Sequence, residues 1–153
     1  MVTSLAESGG YIWSGGIDSS IRGWCVPPAT RDAYGPSADA ASINVLEGHT
    51  NCVWSVAVPG TGQPLLVSGA ADRTVKIWDT RVHSRSPLRA SFVYAKEKDG
   101  KEEDEAVNPT CVSWDWEGRG VIIGWENGSV ELWDVERGAA TTKLLHNDGI
   151  PSP

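Results

Sequence analysis

The sequence predicts an all-β fold built from repeated four-stranded units. Trp24, Trp78 and Trp133 each close a strand-like run, and they lie 54 and 55 residues apart, which indicates an internal repeat. Between them run short segments rich in β-branched and aromatic residues, bounded by turn residues. No segment sustains a helical period. Four-stranded antiparallel units repeated in series are typical of the blades of a β-propeller.

Twelve strands are predicted, in three sets of four. The first set is Val2–Ala6, Tyr11–Gly15, Ser20–Cys25 and Ser42–Leu46; the second is Cys52–Val58, Leu65–Ala70, Thr74–Asp79 and Ala90–Ala95; the third is Thr110–Trp116, Gly120–Trp125, Ser129–Val135 and Thr141–Leu145. The turns between them carry the expected residues, such as Pro59-Gly60 and Asn127-Gly128.

Two inserts explain the long period. Residues 27–41 are rich in Pro, Gly, Ala and Asp, and residues 96–106 are a charge run with six acids and three lysines. We expect a first blade over 1–46, which includes the 27–41 insert, and a second, complete repeat over 47–95. The acidic loop 96–106, a third, degenerate blade over 107–146 and a tail over 147–153 complete the predicted organisation.

Composition limits the class of function. The 153 residues are a length typical of one domain, and the net charge of −7 disfavours nucleic-acid binding, because an acidic protein repels phosphate backbones. The three cysteines form no evident disulfide framework. No apolar run reaches the ~18 residues of a transmembrane helix, and the start MVTSLAESGG does not read as a signal peptide. These features leave a cytosolic or nuclear location, and we predict a cytoplasmic protein.

One stretch carries a recognisable motif. GHTNCVWSVAV…LLVSGAADRTVKIWD resembles a complete WD repeat, and the resemblance implies a polar network in which Asp72 binds His49, His49 binds Ser68, and Ser68 accepts the indole N–H of Trp78. A buried indole N–H needs an acceptor and a buried carboxylate needs donors. The resemblance implies a partial WD-repeat β-propeller, with three four-stranded antiparallel blades in an open arc.

The flanking repeats are incomplete. The first keeps Ser14, Asp18 and Trp24, and the third keeps Trp133-Asp134. In the third repeat we align Gly124 with the serine position and Asn127 near the aspartate, with a one-residue gap near Glu126. That blade is expected to depend instead on packing of the residues Trp114, Trp116, Val121 and Trp125.

A closer resemblance covers nearly the whole chain. SGGIDSSIRGW, an insert containing DAYGPS, then LEGHTNCVW and SGAADRTVKIWDT are similar to the C-terminal propeller of the striatin family. The resemblance implies a non-catalytic scaffold in a phosphatase–kinase assembly. Its implied partners are protein phosphatase 2A subunits, a Mob-family protein and Ste20-like kinases. A substrate-recognition propeller of a ubiquitin ligase or chromatin complex is the alternative.

Catalytic and metal sites are weighed against structural interpretations. His49, Asp72 and Ser68 could form a catalytic set, but their spacing matches the repeat, and no catalytic, cofactor or metal residue is predicted. His83 and His146 are isolated from other ligands, whereas a metal site needs clustered ones.

An interaction rim is predicted along the innermost strands at the residues Cys52, Trp54, Cys111 and Ser113. Cys52 and Cys111 are taken as equivalent positions, either small apolar fillers or a redox pair. Trp54 is either an exposed interface anchor or a buried core residue. Propellers have about 4–8 blades, so we expect this chain to be a fragment whose open blade faces need the rest of the propeller or self-association.

Overall fold

Twelve β-strands make up the described part of the chain. The computed structural model describes residues 1–26, 42–82, 84–94 and 107–145. The strands are β1 Val2–Ser8, β2 Tyr11–Gly16, β3 Ile21–Cys25, β4 Asn44–Leu46, β5 Val53–Ala57, β6 Leu65–Ala70, β7 Thr74–Asp79, β8 Leu88–Val93, β9 Pro109–Trp114, β10 Gly120–Trp125, β11 Ser129–Asp134 and β12 Ala139–Leu145. The predicted inserts 27–41 and 96–106, the predicted tail 147–153, and His83 and His146 lie outside the described residues.

The strands form three four-stranded antiparallel sheets, each a meander of consecutive strands: β1–β4, β5–β8 and β9–β12. Each sheet packs on the next, since β1 and β2 contact β5, and β5 and β6 contact β9. The all-β prediction is confirmed, and the three sheets are blades of a partial β-propeller.

Three of the twelve predicted strands, β6, β7 and β10, have the predicted bounds. The first strand is longer than predicted and ends at Ser8, where Gly9 and Gly10 take positive φ angles of 61° and 84° and reverse the chain. The last strand of the second blade begins two residues earlier than predicted, at Leu88.

Successive blades are joined by the same hydrogen bond. The Ser4 hydroxyl accepts the Val56 N–H at 3.1 Å, and the Ser55 hydroxyl accepts the Val112 N–H at 3.1 Å. The repetition shows that equivalent residues of neighbouring blades meet in the same register.

Each inner strand also carries a bulge. The pairing skips one residue in each of β1, β5 and β9, and the skipped residues are Thr3, Trp54 and Thr110. A bulge leaves its extra residue unpaired in the ladder and redirects its side chain.

Two hydrophobic clusters fill the blade junctions. The cluster between the first two blades consists of Trp13, Ile21, Leu46, Val53, Val56, Leu66, Ala70 and Trp78. The cluster between the second and third consists of Val67, Val75, Ile77, Phe92, Val107, Val112, Trp114, Val121, Ile123, Trp125 and Trp133. The core therefore lies between blades, so each blade depends on its neighbours for burial.

Candidate functional site

A buried polar chain crosses the second blade. His49 Nδ1 lies 2.8 Å from Asp72 Oδ2, and His49 Nε2 lies 2.7 Å from the Ser68 hydroxyl. Trp78 donates its indole N–H to the same hydroxyl at 2.8 Å. These hydrogen bonds connect the segment before β5 to strands β6 and β7.

The hydrogen positions depend on the protonation state of His49. Because a carboxylate can only accept, Nδ1–H donates to Asp72, and in a neutral imidazole Nε2 then accepts from the Ser68 hydroxyl. Burial lowers the pKa of His49, and the hydrogen bond and charge of Asp72 only partly oppose that effect.

Asp72 holds the turn between β6 and β7. One carboxylate oxygen accepts the Thr74 N–H at 3.0 Å and the Thr74 hydroxyl at 2.7 Å, and the other accepts the Thr50 N–H at 3.0 Å. Burial alone would raise the pKa of Asp72, but the donors from Thr74, Thr50 and His49 hold it below its ordinary value.

The backbone at Gly48 lies close to the indole ring of Trp78. Its φ is 150°, and a Cβ placed on it would lie 3.1 Å from the Trp78 ring. Both facts favour glycine immediately before the histidine, because a side chain would strain the backbone and press on the indole.

The first blade retains part of this arrangement. Trp24 donates its indole N–H to Ser14 at 2.9 Å, as Trp78 does to Ser68. Asp18 accepts from the Ser20 N–H at 3.3 Å and from its hydroxyl at 2.8 Å. These bonds lower the pKa of Asp18, and its 2.9 Å ion pair with Arg22 also does so.

The sequence alignment of the third blade is wrong by one residue. Ile123, not Gly124, holds the serine position, since Ile123 pairs with Val112 and Glu131 as Ser68 pairs with Val56 and Lys76. No gap near Glu126 is then needed.

Asn127 falls at the aspartate position in this register. Its Oδ1 accepts the Ser129 N–H at 3.0 Å and the Ser129 hydroxyl at 2.7 Å. The Asx turn of Asp18 and Asp72 therefore occurs in all three described blades.

A buried carboxylate replaces the missing serine. Glu131 is 1% exposed, and its Oε2 accepts the indole N–H groups of Trp133 at 2.9 Å and of Trp125 at 3.1 Å. Sequence reasoning missed Glu131. The available signal was that an isoleucine in the serine position leaves Trp133 in need of another acceptor.

The packing expected of the third blade is partly wrong. Trp114, Trp125 and Val121 are buried, but Trp116 is 87% exposed. Trp116 follows the end of β9, where the chain enters the turn to β10, so no neighbouring strand covers it.

The predicted rim is only partly exposed. Trp54 is 46% exposed, and Cys111 and Ser113 are also exposed, whereas Cys52 is buried. The expected equivalence of the cysteines is wrong. Cys111 pairs with Gly124 as Ser55 pairs with Gly69, so Cys52 precedes the bulge and Cys111 follows it. All three cysteines are free thiols.

A second ionic group lies at the end of β7. Asp79 is 1% exposed and pairs with the exposed guanidinium groups of Arg81 and Arg89. The hydrogen bonds from Arg81 are the main reason that the pKa of Asp79 lies far below its usual range.

The polar chain of the second blade serves the fold. Ser68 is fully buried, and its hydroxyl both donates to His49 and accepts from Trp78, so it is not presented to a substrate. Within the described ranges no group of three His, Cys, Asp or Glu side chains could hold a metal ion. The same residues include no helix long and apolar enough to span a membrane.

Comparison with known proteins finds a WD repeat and a likeness to striatins. Residues 40–79 match the family model described as WD domain, G-beta repeat. The chain is 31% identical to human striatin-4 over 144 residues, which are 94% of the chain and 18% of that protein. It is 36% identical to bovine striatin-3 over 146 residues, 92% of the chain and 16% of that protein.

The chain is similar to striatins over most of its length and contains a WD repeat. It also resembles the F-box/WD repeat-containing protein sel-10 of Caenorhabditis elegans, at 30% identity over 142 residues, 90% of the chain and 19% of that protein. The striatin-like chain thus spans less than a fifth of the length of these curated relatives. The WD repeats and the striatin likeness support a module that binds proteins and point to a scaffold rather than an enzyme.

Proposed function

We propose that this striatin-like chain is a non-catalytic scaffold module of a cytoplasmic phosphatase–kinase signalling assembly. Its partners are then protein phosphatase 2A subunits, a Mob-family protein and Ste20-like kinases, as the family resemblance implies. The likeness to striatins over more than nine-tenths of the chain supports these partners. A buried polar chain devoted to the fold supports a binding surface rather than a reaction centre.

The observation that carries the binding role is the side chain of Trp54. The neighbouring blades have threonine at the same bulge, and both hydroxyls bind backbone carbonyls. Thr3 contacts the Gly15 carbonyl at 2.9 Å and also the Val53 carbonyl of the next blade, and Thr110 donates to the Gly124 carbonyl at 3.1 Å. Trp54 cannot make that bond. Its large, half-exposed indole adds apolar surface instead, as interface anchors do.

The rim around Trp54 is redefined by the structure. Its exposed members on the inner strands are Trp54, Cys111 and Ser113, while Cys52 is buried. We propose the exposed three as the partner-binding rim.

The first and third blades each have one face that packs on no described blade, and we call these the end faces. Both end faces expose apolar side chains. Leu5 holds the position of Val56 and Val112, which are buried against a preceding blade, yet Leu5 is 65% exposed. Ile122 holds the position of the fully buried Val67 and is 37% exposed. We propose that further blades or a second copy cover these faces, since exposed apolar blade faces promote association.

Capture from cell lysate tests the scaffold role. The tagged chain should enrich phosphatase 2A subunits, and Trp54→Ala should reduce that enrichment. Trp116→Ala removes another exposed tryptophan outside the rim and is the matched control. Phosphatase subunits at background level with the wild-type chain would count against the proposal.

The alternative is a substrate-recognition propeller of a ubiquitin ligase or chromatin complex. The likeness to an F-box/WD repeat protein is the observation in its favour. The same capture separates the two, because a cullin adaptor or histones would then be enriched without phosphatase subunits.

A further inference from the structure

A cleft of about 390 Å³ lies between the first two blades, at the end opposite the β2–β3 and β6–β7 turns. Its apolar wall includes Tyr11, Trp13, Val58 and Leu65, and Arg81 lies at its edge. Its volume is within the range of about 300–1,000 Å³ typical of ligand sites. It is separate from the Trp54 rim.

The next blade junction shows what fills such a space. Val58 follows the end of β5 at the register position that Trp114 holds on β9, because Val56 and Val112 are equivalent. Trp114 is 8% exposed, packs in the second cluster and donates its indole N–H to the Ala57 carbonyl at 3.1 Å. The corresponding carbonyl at the first junction belongs to Ala6.

The second junction is also closed at its edge. A Cβ on Gly118 would lie 2.8 Å from the Thr61 hydroxyl and 3.4 Å from Pro59, so the third blade fits tightly on the loop of the second. At the first junction the turn equivalent to that of Gly118 is the one between β5 and β6, and a Cβ on its Gly60 or Gly62 would meet nothing within 4 Å. The same holds for Gly9 and Gly10 in the facing turn of the first blade. The open cleft is therefore a difference between two otherwise equivalent junctions.

Trp13 does not take the missing indole's place. Its six-membered ring lies over Gly23, where a Cβ would come within 2.7 Å of it. Gly23 is equivalent to Ile77, so Trp13 fills the volume of that isoleucine. The volume of Trp114 has no counterpart in the first junction, where Val58 is much smaller.

Among the described residues, one cationic side chain, that of Arg81, lines the cleft. Arg81 and Arg89 both pair with the single buried carboxylate of Asp79, which leaves one cationic charge in excess. Arg81 uses its Nε and Nη2 atoms on Asp79, so other N–H donors of its fork remain for a second anion. In a chain with a net charge of −7, this is a local site for an acidic group.

We propose that this cleft binds a short segment of a partner protein in which a tryptophan is followed by acidic residues. The indole enters beside Val58 and donates to the Ala6 carbonyl, as Trp114 does to Ala57, and a carboxylate pairs with Arg81. The proposal extends the binding role to a second face and to a defined peptide chemistry.

Fluorescence anisotropy with a labelled peptide, Ser-Gly-Trp-Glu-Asp-Gly, tests it on the full chain. The wild-type chain should bind saturably, and replacing the peptide tryptophan by alanine should weaken binding about tenfold or more, as expected for an anchor residue. Val58→Trp should weaken binding to a similar degree by filling the cleft with the side chain that the next junction carries. Thermal melts establish that this variant is folded.

A pair of arginine variants tests the charge. Arg81→Gln should weaken binding severalfold, because it removes both the excess charge and the guanidinium that lines the cleft. Arg89→Gln removes only the excess charge, from outside the cleft, and should weaken binding less. Trp54→Ala should bind the peptide like the wild-type chain, which separates this cleft from the rim. Absence of saturable wild-type binding, full binding by folded Val58→Trp, or equal losses in the two arginine variants would each overturn the proposal.

Discussion

Glu131 accepts the indole N–H of Trp133 at 2.9 Å, although both residues lie on the same strand. In the second blade the equivalent Trp78 reaches across to Ser68 on the neighbouring strand, at 2.8 Å. The two blades thus satisfy the same buried donor from different strands. The substitute also serves Trp125, so the third blade keeps a polar centre without the histidine of the second.

Replacing Glu131 should destabilise the third blade. Glu131→Ala leaves two buried indole donors without an acceptor, at about 1–3 kcal/mol for each unsatisfied group. Glu131→Gln retains a carbonyl oxygen that can accept both bonds and should cost less. Urea unfolding of both variants measures the difference, and equal losses would contradict an acceptor role.

Substitutions in the Asx turns of the second and third blades should lower the free energy of unfolding by different amounts. Asp72→Ala removes the acceptor of His49, Thr50 and Thr74 and should destabilise the fold by about 1–3 kcal/mol. Asn127→Ala removes only the bonds to Ser129 and should cost less. Denaturation midpoints compare the two, and a larger loss at Asn127 would refute this ordering.

Acid should weaken the second blade through His49. Burial lowers the pKa of His49 below the value of 6.5 expected for the unfolded chain, so the unfolded state binds more protons as the pH falls. Its contribution is fully present above about pH 6.5 and is lost as the pH falls toward the folded pKa. Asp72, whose pKa is also lowered, adds stability that is lost at still lower pH, below its ordinary value of 3.8.

Unfolding midpoints between about pH 7.5 and 5 measure this dependence. His49→Gln should flatten the slope over that range, because glutamine does not titrate. A variant that kept the wild-type slope would assign the dependence to other groups.

Two tryptophans that lie close in sequence should behave oppositely. Trp114 is 8% exposed and Trp116 is 87% exposed. Trp114→Ala should cost about 3–5 kcal/mol through the cavity it leaves, while Trp116→Ala should change stability by no more than about 0.5 kcal/mol. Thermal and urea unfolding measure both, with each variant serving as the control for the other.

The exposed end faces should drive self-association of the chain by itself. Sedimentation velocity should show species that grow with concentration, because Leu5 and Ile122 occupy positions that are buried between blades elsewhere. Leu5→Glu with Ile122→Glu should shift the chain toward monomer. A wild-type chain that stayed monomeric and unfolded cooperatively would contradict the prediction.

Local sequence signals were sufficient for much of the fold. Alternating apolar residues and turn dipeptides predicted the bounds of β6, β7 and β10, because strand period and turn chemistry are local properties. The third blade was harder. A one-residue error moved Gly124 into the place of Ile123, because alignment by motif could not detect which residues actually pair across strands.

The sequence by itself determined the repeat, the strand-rich architecture and the composition of the polar chain from His49 to Trp78. These features depend only on the spacing and the types of residues along the chain. Only the tertiary structure decided that Glu131 replaces serine, that Cys52 is buried, and that Val58 stands where the next junction has Trp114. Burial and acceptor choice depend on which strands and blades meet, and that is a property of packing between residues far apart in the chain.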